Sequence, residues 1–339
     1  MASRPYNRPV SATNTSTTAR RTQAAEAVFM VRPASFGWNP QTAPSNRFQP
    51  ATAPADPEAR RRAVAEFDEL DASLTDAGVE VHAFPDVAQP ACPDAVFPNN
   101  WLSLHADGTV VLYPMLAPSR RRERRLDLIA RLEQAGGFRV ERLLDLTHHE
   151  LQGRFLEGTG SVVFDHVERV AYACLSPRTH AGPLADLCDE LGYEPVTLHA
   201  TDRAGVPVYH TNVALAIGGG FAVVCAEAMA ASERGALLER LACGGRLVAT
   251  ITHEQMAHFA GNVLELRAGD GARVLALSRR AMACFTPEAW ERIESRVDRV
   301  VAVPVPTIED LGVGSVRCML AEVFLPRHAA TGLEDGAPP

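Results

Sequence analysis

Three side chains that together suit nucleophilic catalysis stand far apart in the chain, each beside a predicted strand. Cys318 follows residues 312–315 (GVGS) at the start of an apolar run, His210 precedes another such run, and Glu157 opens the glycine-rich segment EGTG. A catalytic cysteine needs a lowered pKa or a neighbouring base, and His210 is the candidate base. The carboxylate of Glu157 can orient a substrate, neutralise developing positive charge or move protons. The set suits attack by sulfur on a planar carbon that carries nitrogen atoms.

Each of these residues also has a structural interpretation. A lone cysteine in an apolar run usually serves as a small core residue, and His210 and Glu157 have roughly even odds of being structural when each is considered alone. Two features favour chemistry at Cys318. Its flanking glycines and serine permit close approach of backbone, and it occupies the same position relative to a strand as the other two residues do.

Other motifs in the sequence do not support other classes of enzyme. His253 and His258 are five residues apart, whereas the two histidines of a zinc-protease helix are four apart and face one metal. The segment Gly218-Gly219-Gly220 lacks the Lys-Ser/Thr that follows the glycines of a P-loop. No Gly-x-Gly-x-x-Gly pattern opens a predicted helix. Zinc-protease, P-loop and dinucleotide-binding interpretations are therefore rejected.

The composition limits the partners. The 339 residues carry a net charge of −8, and a protein that binds nucleic acid usually has a basic face. The basic run at residues 119–125 is short and is interpreted as a solvated helix face. No apolar stretch reaches the roughly 20 residues that span a bilayer. We expect neither nucleic-acid nor membrane binding.

Cysteine usage and the termini bear on the compartment. The seven cysteines include no CxxC pair, which argues against a disulfide framework and a zinc ribbon. Residues 1–25 are rich in Ser, Thr, Ala and Arg without an apolar core segment, so they are not a secretory signal. We expect residues 1–25 to be a disordered tail, residues 329–339 to be a flexible tail, and the protein to be cytoplasmic.

An internal repeat organises the rest of the chain. Apolar hairpins recur about every 50–60 residues, each followed by a predicted helix and a short strand. The hairpins are predicted at 101–113, 161–175, 213–225 and 262–277, the helices at 126–135, 183–191, 232–241 and 287–297, and the closing strands at 138–141, 195–198, 246–250 and 300–304. A fifth unit is split between the ends of the chain, with strands 27–31 and 79–82, helix 57–74 and strand 318–325. These units predict a pseudo-symmetric, five-bladed α/β propeller formed by one domain, residues 26–328.

Serine-arginine pairs follow the second strand of several units, among them Ser119-Arg120 and the segment Ser176-Pro177-Arg178. Serine is a good N-cap, so helix capping explains these pairs by itself. The pairs would nevertheless lie near one end of the predicted ring. Their arginines are therefore also candidates to hold a substrate carboxylate.

On these residues the chain resembles the guanidino-group modifying enzymes, the pentein or amidinotransferase superfamily, over nearly everything after the N-terminal tail. Within it the chain is most similar to dimethylarginine dimethylaminohydrolase-like proteins and to citrulline hydrolases (ureidases). The resemblance implies a five-bladed α/β propeller with the active site at one end of its channel. It also implies that the reaction uses no metal and no organic cofactor.

By the same resemblance, Cys318 matches the nucleophile, His210 the general acid/base and Glu157 the catalytic carboxylate. Residues 93–97 match the first substrate-binding segment, which makes Asp94 the expected contact for the α-amino end of a substrate. Arg120 and Arg178 lie in segments whose arginines hold the substrate. The expected partner is thus a small-molecule amino acid, and a homo-oligomer is compatible with the sequence.

Two departures from the family pattern concern the substrate. Asn100 lies in Pro98-Asn99-Asn100, where arginine-type members carry Glu-Asp, and Asn212 stands where several members have aspartate after His-x. A guanidinium offers only N–H donors and pairs with carboxylates, whereas an asparagine offers both a donor and an acceptor to a neutral ureido group. The sequence therefore predicts hydrolysis of a ureido compound, with citrulline converted to ornithine, carbon dioxide and ammonia. Either asparagine could instead be a turn or cap residue.

Other functions remain open on the same scaffold. They are an arginine or dimethylarginine hydrolase, an amidinotransferase, and a non-enzymatic binding protein, since this fold also occurs in a ribosome anti-association factor. Retention of Cys318, His210 and Glu157 together argues against the non-enzymatic alternative.

Overall fold

Strands and helices alternate along the chain in a computed structural model that describes residues 22–42 and 56–328, and together they form a mixed α/β fold. The predicted tails at 1–21 and 329–339 lie outside the described residues. Residues 22–25 were assigned to the first tail, but Ala24 and Ala25 are buried, and the Gln23 side chain donates to the carbonyls of Phe164 and Ile217. The ordered part of the chain therefore begins before residue 26.

The observed elements follow the predicted repeat. The split unit comprises β1 (Ala27–Arg32), α1 (Ala59–Asp76), β2 (Glu80–Pro85) and, near the other end, β15 (Ala321–Val323). The next unit comprises β3 (Leu102–Leu104), β4 (Thr109–Leu112), α2 (Leu126–Gly136) and β5 (Arg142–Asp145). The third comprises α3 (Gly158–Ser161), β6 (Val163–Asp165), β7 (Val170–Cys174), α4 (Ala181–Leu191) and β8 (Glu194–Leu198).

The remaining two units have the same order of elements. One comprises α5 (Thr211–Ala214), β9 (Leu215–Ile217), β10 (Phe221–Val224), α6 (Ala231–Leu241) and β11 (Leu247–Thr250). The other comprises α7 (His253–Ala257), β12 (Leu264–Arg267), β13 (Arg273–Ser278), α8 (Arg279–Ala283), α9 (Pro287–Glu294) and β14 (Arg299–Val303). No helix among the described residues has both the length and the apolar character that a bilayer span requires.

Within each unit the first two strands are antiparallel, and a helix returns the chain to a third, parallel strand. Three units form separate three-stranded sheets, β6-β7-β8, β9-β10-β11 and β12-β13-β14. The other two are fused into one six-stranded sheet of order β2-β1-β15-β3-β4-β5, because β15 pairs with β1 on one side and with β3 on the other. The described chain therefore has four sheets, whereas the repeat predicted five separate blades.

The predicted pairing of the two ends of the chain is confirmed by the antiparallel register of β1 with β15. Cys318 was placed in this last strand, but the strand begins at Ala321, and Cys318 lies in a short 3₁₀ turn, Val316–Met319. The strand predicted at 138–141 is also wrong. Strand β5 starts at Arg142, since Leu143 and Leu144 pair with β4, while Phe138 is a core residue with only an isolated bridge to Arg327.

Candidate active site

Short turns in front of the first strands position the side chains singled out from the sequence. Asn100 ends the 3₁₀ turn before Trp101 and β3, Glu157 directly precedes α3, and His210 directly precedes α5, which contains Asn212. Cys318 lies in the corresponding 3₁₀ turn before β15. Because the repeat places each turn at the same end of its sheet, residues more than 100 positions apart can meet.

Glycines allow these turns to pack against one another. A Cβ on Gly158 would lie 2.0 Å from the Asn99 carbonyl oxygen, and Gly158 also has a positive φ of 48°. A Cβ on Gly160 would lie 2.5 Å from Asn100 Nδ2 and 2.8 Å from His210 Nδ1. Gly158 and Gly160 must therefore be glycine, because the backbone at both positions passes too close to its neighbours to leave room for a side chain.

A pocket with about 320 Å³ of empty space lies where the turns converge. It is lined by Thr42, Asp94, Phe97, Asn100, Arg120, Arg178, Tyr209, His210, Gly312, Val313, Gly314 and Cys318. Six of the eight residues predicted for the site are among them. The other two, Glu157 and Asn212, are fully buried behind the lining and contact His210 and Cys318 respectively.

The imidazole of His210 and the carboxylate of Glu157 form a buried pair, with 2.8 Å between Nε2 and Oε2. Burial lowers the pKa of His210, and the hydrogen bond to Glu157 offsets only part of this effect. Burial alone would raise the pKa of Glu157, but the charge of Arg178 and the hydrogen bond from His210 outweigh it and lower this pKa. At neutral pH the pair is therefore a carboxylate that holds a neutral imidazole.

Arg120 is fully engaged by protein groups. Its Nε and Nη2 contact the carboxylate of Glu123 at 2.9–3.2 Å, and Nη1 donates to Asn100 Oδ1 at 2.7 Å. An arginine has only donors, so the amide oxygen of Asn100 must face Arg120. The Asn100 NH₂ group must then point the other way, toward Gly160 and His210.

Asp94 and Arg178 also line the pocket. The carboxylate of Asp94 accepts a hydrogen bond from Asn39 Nδ2 at 2.7 Å, and burial raises the pKa of Asp94 despite the nearby charge of Arg120. Arg178 lies 3.5 Å from Glu157 Oε2 and donates to the carbonyl of Thr42 at 3.0 Å. This part of the pocket thus combines a carboxylate and a guanidinium, which are the groups that an α-amino acid end pairs with.

The sulfur of Cys318 lies between two carboxamides. Asn212 Nδ2 is 3.7 Å and Asn262 Nδ2 is 3.4 Å from Sγ. Within the described parts of the chain, no hydrogen bond joins this sulfur to His210. The thiol is 5% exposed and its access route is the pocket.

Two of the predicted site residues each have a buried polar atom without a partner among the described residues: Asn100 Nδ2, a donor, and Asn212 Oδ1, an acceptor. Both amide atoms of neighbouring Asn99 also lack a partner there. A buried polar group without a partner costs about 1–3 kcal/mol, so each such atom calls for an explanation, and a bound molecule is one. Asn100 lines the pocket, so its donor is the one that a bound molecule can reach, whereas Asn212 lies behind the lining.

Sequence reasoning missed four residues of the site: Asn39, Glu123, Tyr209 and Asn262. The Tyr209 hydroxyl donates to the Val313 carbonyl at 2.7 Å and so ties the loop before Cys318 to the turn that carries His210. Asn262 had a usable signal, because it precedes the fourth hairpin as Asn212 precedes the third. Asn39 and Glu123 had none, since their role arises only from tertiary contact.

Among the described residues, His148, His149 and Asp186 have ligand atoms close enough to share an ion, but none of them lines the pocket. His149 Nε2 is already hydrogen-bonded to Asp186 Oδ2 at 2.8 Å.

Comparison with known proteins places this site in context. The family model of eukaryotic N,N-dimethylarginine dimethylhydrolase matches residues 32–325. No curated protein matches the chain.

Several solved structures are similar in fold. The N-terminal domain of ArgZ, an arginine dihydrolase from the ornithine-ammonia cycle in cyanobacteria, shares 18% identity and a TM-score of 0.68 over 88% of this chain and 99% of that domain. The same domain, as an asparagine-to-serine variant, has been seen covalently bound to a reaction intermediate. Against the longer ArgZ chain, the present chain covers only 41% of its length.

Two further structures carry ligands related to arginine. A cysteine-to-alanine mutant of AgrE in complex with L-arginine has 17% identity and a TM-score of 0.69, covering 90% of this chain and 41% of AgrE. A dimethylarginine dimethylaminohydrolase in an adduct with S-methyl-L-thiocitrulline has 15% identity and a TM-score of 0.59, covering 88% of this chain and 99% of that one. At these identities the likeness concerns the fold.

Proposed function

The chain belongs to the N,N-dimethylarginine dimethylhydrolase family of the pentein superfamily, and from this premise we propose that it is a cysteine-dependent hydrolase of a ureido amino acid, citrulline. The family consists of guanidino-modifying enzymes. The proposal therefore concerns which planar carbon this chain attacks and which residues perform the attack.

The observation that carries the proposal is the orientation of Asn100. Its oxygen faces Arg120, so its unpaired NH₂ group is directed toward the catalytic side of the pocket. A ureido group has a carbonyl oxygen that can accept this hydrogen bond. A guanidinium has no acceptor, so it would leave the Asn100 donor unpaired.

We assign the amino-acid end of the substrate to Asp94 and Arg178, which both line the pocket. Asp94 would accept hydrogen bonds from the α-ammonium, and Arg178 would pair with the α-carboxylate. Arg120 was expected to share this second task, but its nitrogens are committed to Glu123 and Asn100. We assign Arg120 the task of fixing the Asn100 amide.

The proposed reaction has two steps. Cys318 attacks the ureido carbon, its proton passes to His210, and His210 then protonates the nitrogen that leaves as the C–N bond breaks. Glu157 stabilises the imidazolium during this transfer. Neutral His210 next removes a proton from water, which attacks the thiocarbamate and frees Cys318. The carbamate product decomposes, so citrulline and water give ornithine, carbon dioxide and ammonia.

Hydrolysis of a guanidino group is the second candidate. It is favoured by the family itself and by the fold that the chain shares with an arginine dihydrolase and with AgrE in complex with L-arginine. On this alternative Glu157 and Asp94 would balance the charge of the guanidinium. Both oxygens of Glu157 already accept hydrogen bonds, Oε2 from His210 and Oε1 from the backbone N–H of Leu116, which weakens the alternative.

The family also supports the predicted architecture. We propose that the four sheets close into a ring of five repeats with the pocket at one end, and that residues 26–328 act as one catalytic domain.

A substrate panel tests the proposed activity. Citrulline, arginine and dimethylarginine are each incubated with the enzyme, and ammonia and ornithine are measured. We expect saturable turnover of citrulline, and in Cys318→Ala we expect turnover to fall by at least about a thousandfold because the attacking atom is absent. Turnover of guanidines without citrulline would reject the ureido substrate, and full activity of Cys318→Ala would reject the nucleophile.

A further inference from the structure

We propose that Asn262 is a further catalytic residue of this site, whose carboxamide donates a hydrogen bond to the Cys318 sulfur and stabilises it as a thiolate. The inference rests on the proposed function only in requiring a cysteine nucleophile. It applies whether the attacked carbon belongs to a ureido or to a guanidino group.

The direction of the Asn262 amide is fixed by its second partner. Its Nδ2 is 3.0 Å from the backbone oxygen of Asn212 and 3.4 Å from Cys318 Sγ. A carbonyl oxygen can only accept, so the NH₂ group must lie on this side. One of its two hydrogens satisfies the carbonyl, which leaves the other for the sulfur. Sγ is also 3.7 Å from Asn262 Oδ1, to which a neutral thiol can donate, but the contact with Nδ2 is the shorter of the two.

The turn that carries Asn262 is held firmly against its neighbour. Asn262 is fully buried, its backbone N–H donates to Phe259 at 2.8 Å, and Phe259 adopts a positive φ of 65°. A Cβ on Gly261 would lie 2.2 Å from the Val213 carbonyl oxygen, so the turn packs backbone to backbone on α5. The donor is therefore preorganised, which is what makes a polar group effective at an active site.

Among the described residues, no positively charged group is hydrogen-bonded to this sulfur, so a thiolate there depends on neutral donors. His210 is paired with Glu157 instead, and burial keeps this imidazole neutral by lowering its pKa. Hydrogen bonds to a charged atom are roughly twice as strong as those between neutral groups. Asn262 and Asn212 are thus the groups that can stabilise negative charge on the sulfur.

This role predicts which kinetic constant changes. Asn262 touches the reacting sulfur but does not line the pocket. Its removal should therefore lower kcat while KM stays nearly constant, since the contacts made by the bound substrate are unaltered.

The decisive test measures the sulfur without any substrate. Wild type, Asn262→Ala and Asn262→Asp are treated with iodoacetamide at fixed pH, and alkylation of Cys318 is followed by mass spectrometry of its peptide. We expect alkylation to slow by about tenfold in Asn262→Ala, the size of one charge-assisted hydrogen bond. We expect it to be slower still in Asn262→Asp, because a carboxylate of nearly the same shape repels a thiolate.

The aspartate variant separates electrostatics from packing. If Asn262 only filled space, Asn262→Asp would keep the wild-type alkylation rate. That result, or a wild-type rate in Asn262→Ala, overturns the inference. Alkylation of the exposed Cys243 in the same samples provides an internal control for the reagent. The variant Gln152→Glu adds the same negative charge as Asn262→Asp, but at an exposed position, and so controls for the change in net charge.

The alkylation rates are independent of the substrate panel. An enzyme that accepts only guanidines would defeat the ureido proposal and leave the Asn262 result intact. Conversely, a citrulline hydrolase with unchanged alkylation in both Asn262 variants would keep its function and lose this catalytic residue.

Discussion

The buried His210 determines how the proposed activity depends on pH. The ordinary pKa of histidine is about 6.5, and burial lowers the pKa of His210 despite its bond to Glu157. The imidazole accepts a proton only in its neutral form, which is present above its pKa. We therefore expect kcat/KM to stay high below pH 6.5 and to fall only at distinctly lower pH.

Initial rates measured immediately after transfer of the enzyme to each pH would show this decrease in kcat/KM, the acidic limb of the pH profile, before the protein unfolds in acid. Glu157 raises the pKa of His210, so Glu157→Gln should move the limb to still lower pH as well as reduce kcat. An acidic limb of wild type centred near pH 6.5 would contradict a buried, neutral base.

Individual residues of the site differed in how far the sequence revealed them. Cys318, His210 and Glu157 could be chosen from the sequence alone. Each belongs to a residue type with a strong chemical role, and each stands at the same place in a repeat. Asn262 escaped notice because an amide before a strand is also an ordinary turn residue. The commitment of Arg120 to Glu123 and Asn100 depends on side-chain geometry, which spacing along the chain does not encode.

The loop before Cys318 is the element whose backbone most directly shapes the pocket. Gly314 packs on the ring of Phe97, and a Cβ there would lie 2.6 Å from the ring. Between the two glycines, Val313 has a positive φ of 54°, a strained conformation for a β-branched residue. The glycines of this segment were predicted to permit close approach, and the structure confirms it at Phe97.

Gly314→Ala should therefore displace either the Phe97 ring or the turn that carries Cys318. We expect kcat to fall by about tenfold or more, since small misplacements of reacting groups are costly. The paired change Phe97→Leu should restore part of the activity by making room. Unchanged kinetics in Gly314→Ala would show that this packing does not position the sulfur.

Gly235 offers a matched control. It lies on exposed α6, where an added Cβ meets no atom within 4 Å. Gly235→Ala should raise the free energy of unfolding by about 0.5–1 kcal/mol, as expected for alanine in a helix, and leave kcat unchanged.

Helices and strands could be predicted where the periodicity of the apolar residues and the positions of the turn residues indicated the same boundaries. The helix at 126–135 and the hairpin turn at Gly218-Gly219-Gly220 are found where expected. The strand after α2 was misplaced by four residues because Phe138 and Val140 look like a strand in sequence. The register is in fact decided by pairing of Leu143 and Leu144 with β4, and local propensity yields to such tertiary contacts.

At the scale of the whole molecule, a buried histidine outside the pocket couples folding to pH. His105 is 6% exposed, and burial lowers its pKa to about 4. Between this value and pH 6.5, the unfolded chain binds a proton at this imidazole while the folded chain does not. The free energy of unfolding should therefore decrease as pH falls from 6.5 toward 4, by up to about 1.4 kcal/mol per pH unit for this residue.

Denaturant unfolding of wild type and His105→Gln at pH 7, 6 and 5 measures this contribution. Glutamine does not titrate and can still pair with Ser103, the present partner of His105 at 2.7 Å. The variant should lose less stability between pH 6 and 5 than wild type does. Parallel curves for the two proteins would contradict a buried neutral imidazole at this position.

The order of the elements was predictable because one supersecondary unit is repeated, and finding one copy helps to find the others. The fusion of two units into a six-stranded sheet was not, because it depends on the single pair of Val323 with Leu104 between β15 and β3. A one-residue pairing leaves no pattern in the sequence.

The position of β15 has a consequence for biosynthesis. Every other residue assigned to the site is translated before Cys318, and the strand that follows this cysteine is the one that joins β1 to β3. A nascent chain can thus assemble the acid/base pair and the amide groups while it still lacks the attacking atom. On the proposed mechanism, a chain whose synthesis stalls before this segment would lack both the nucleophile and the strand that completes the largest sheet, and it would be inactive.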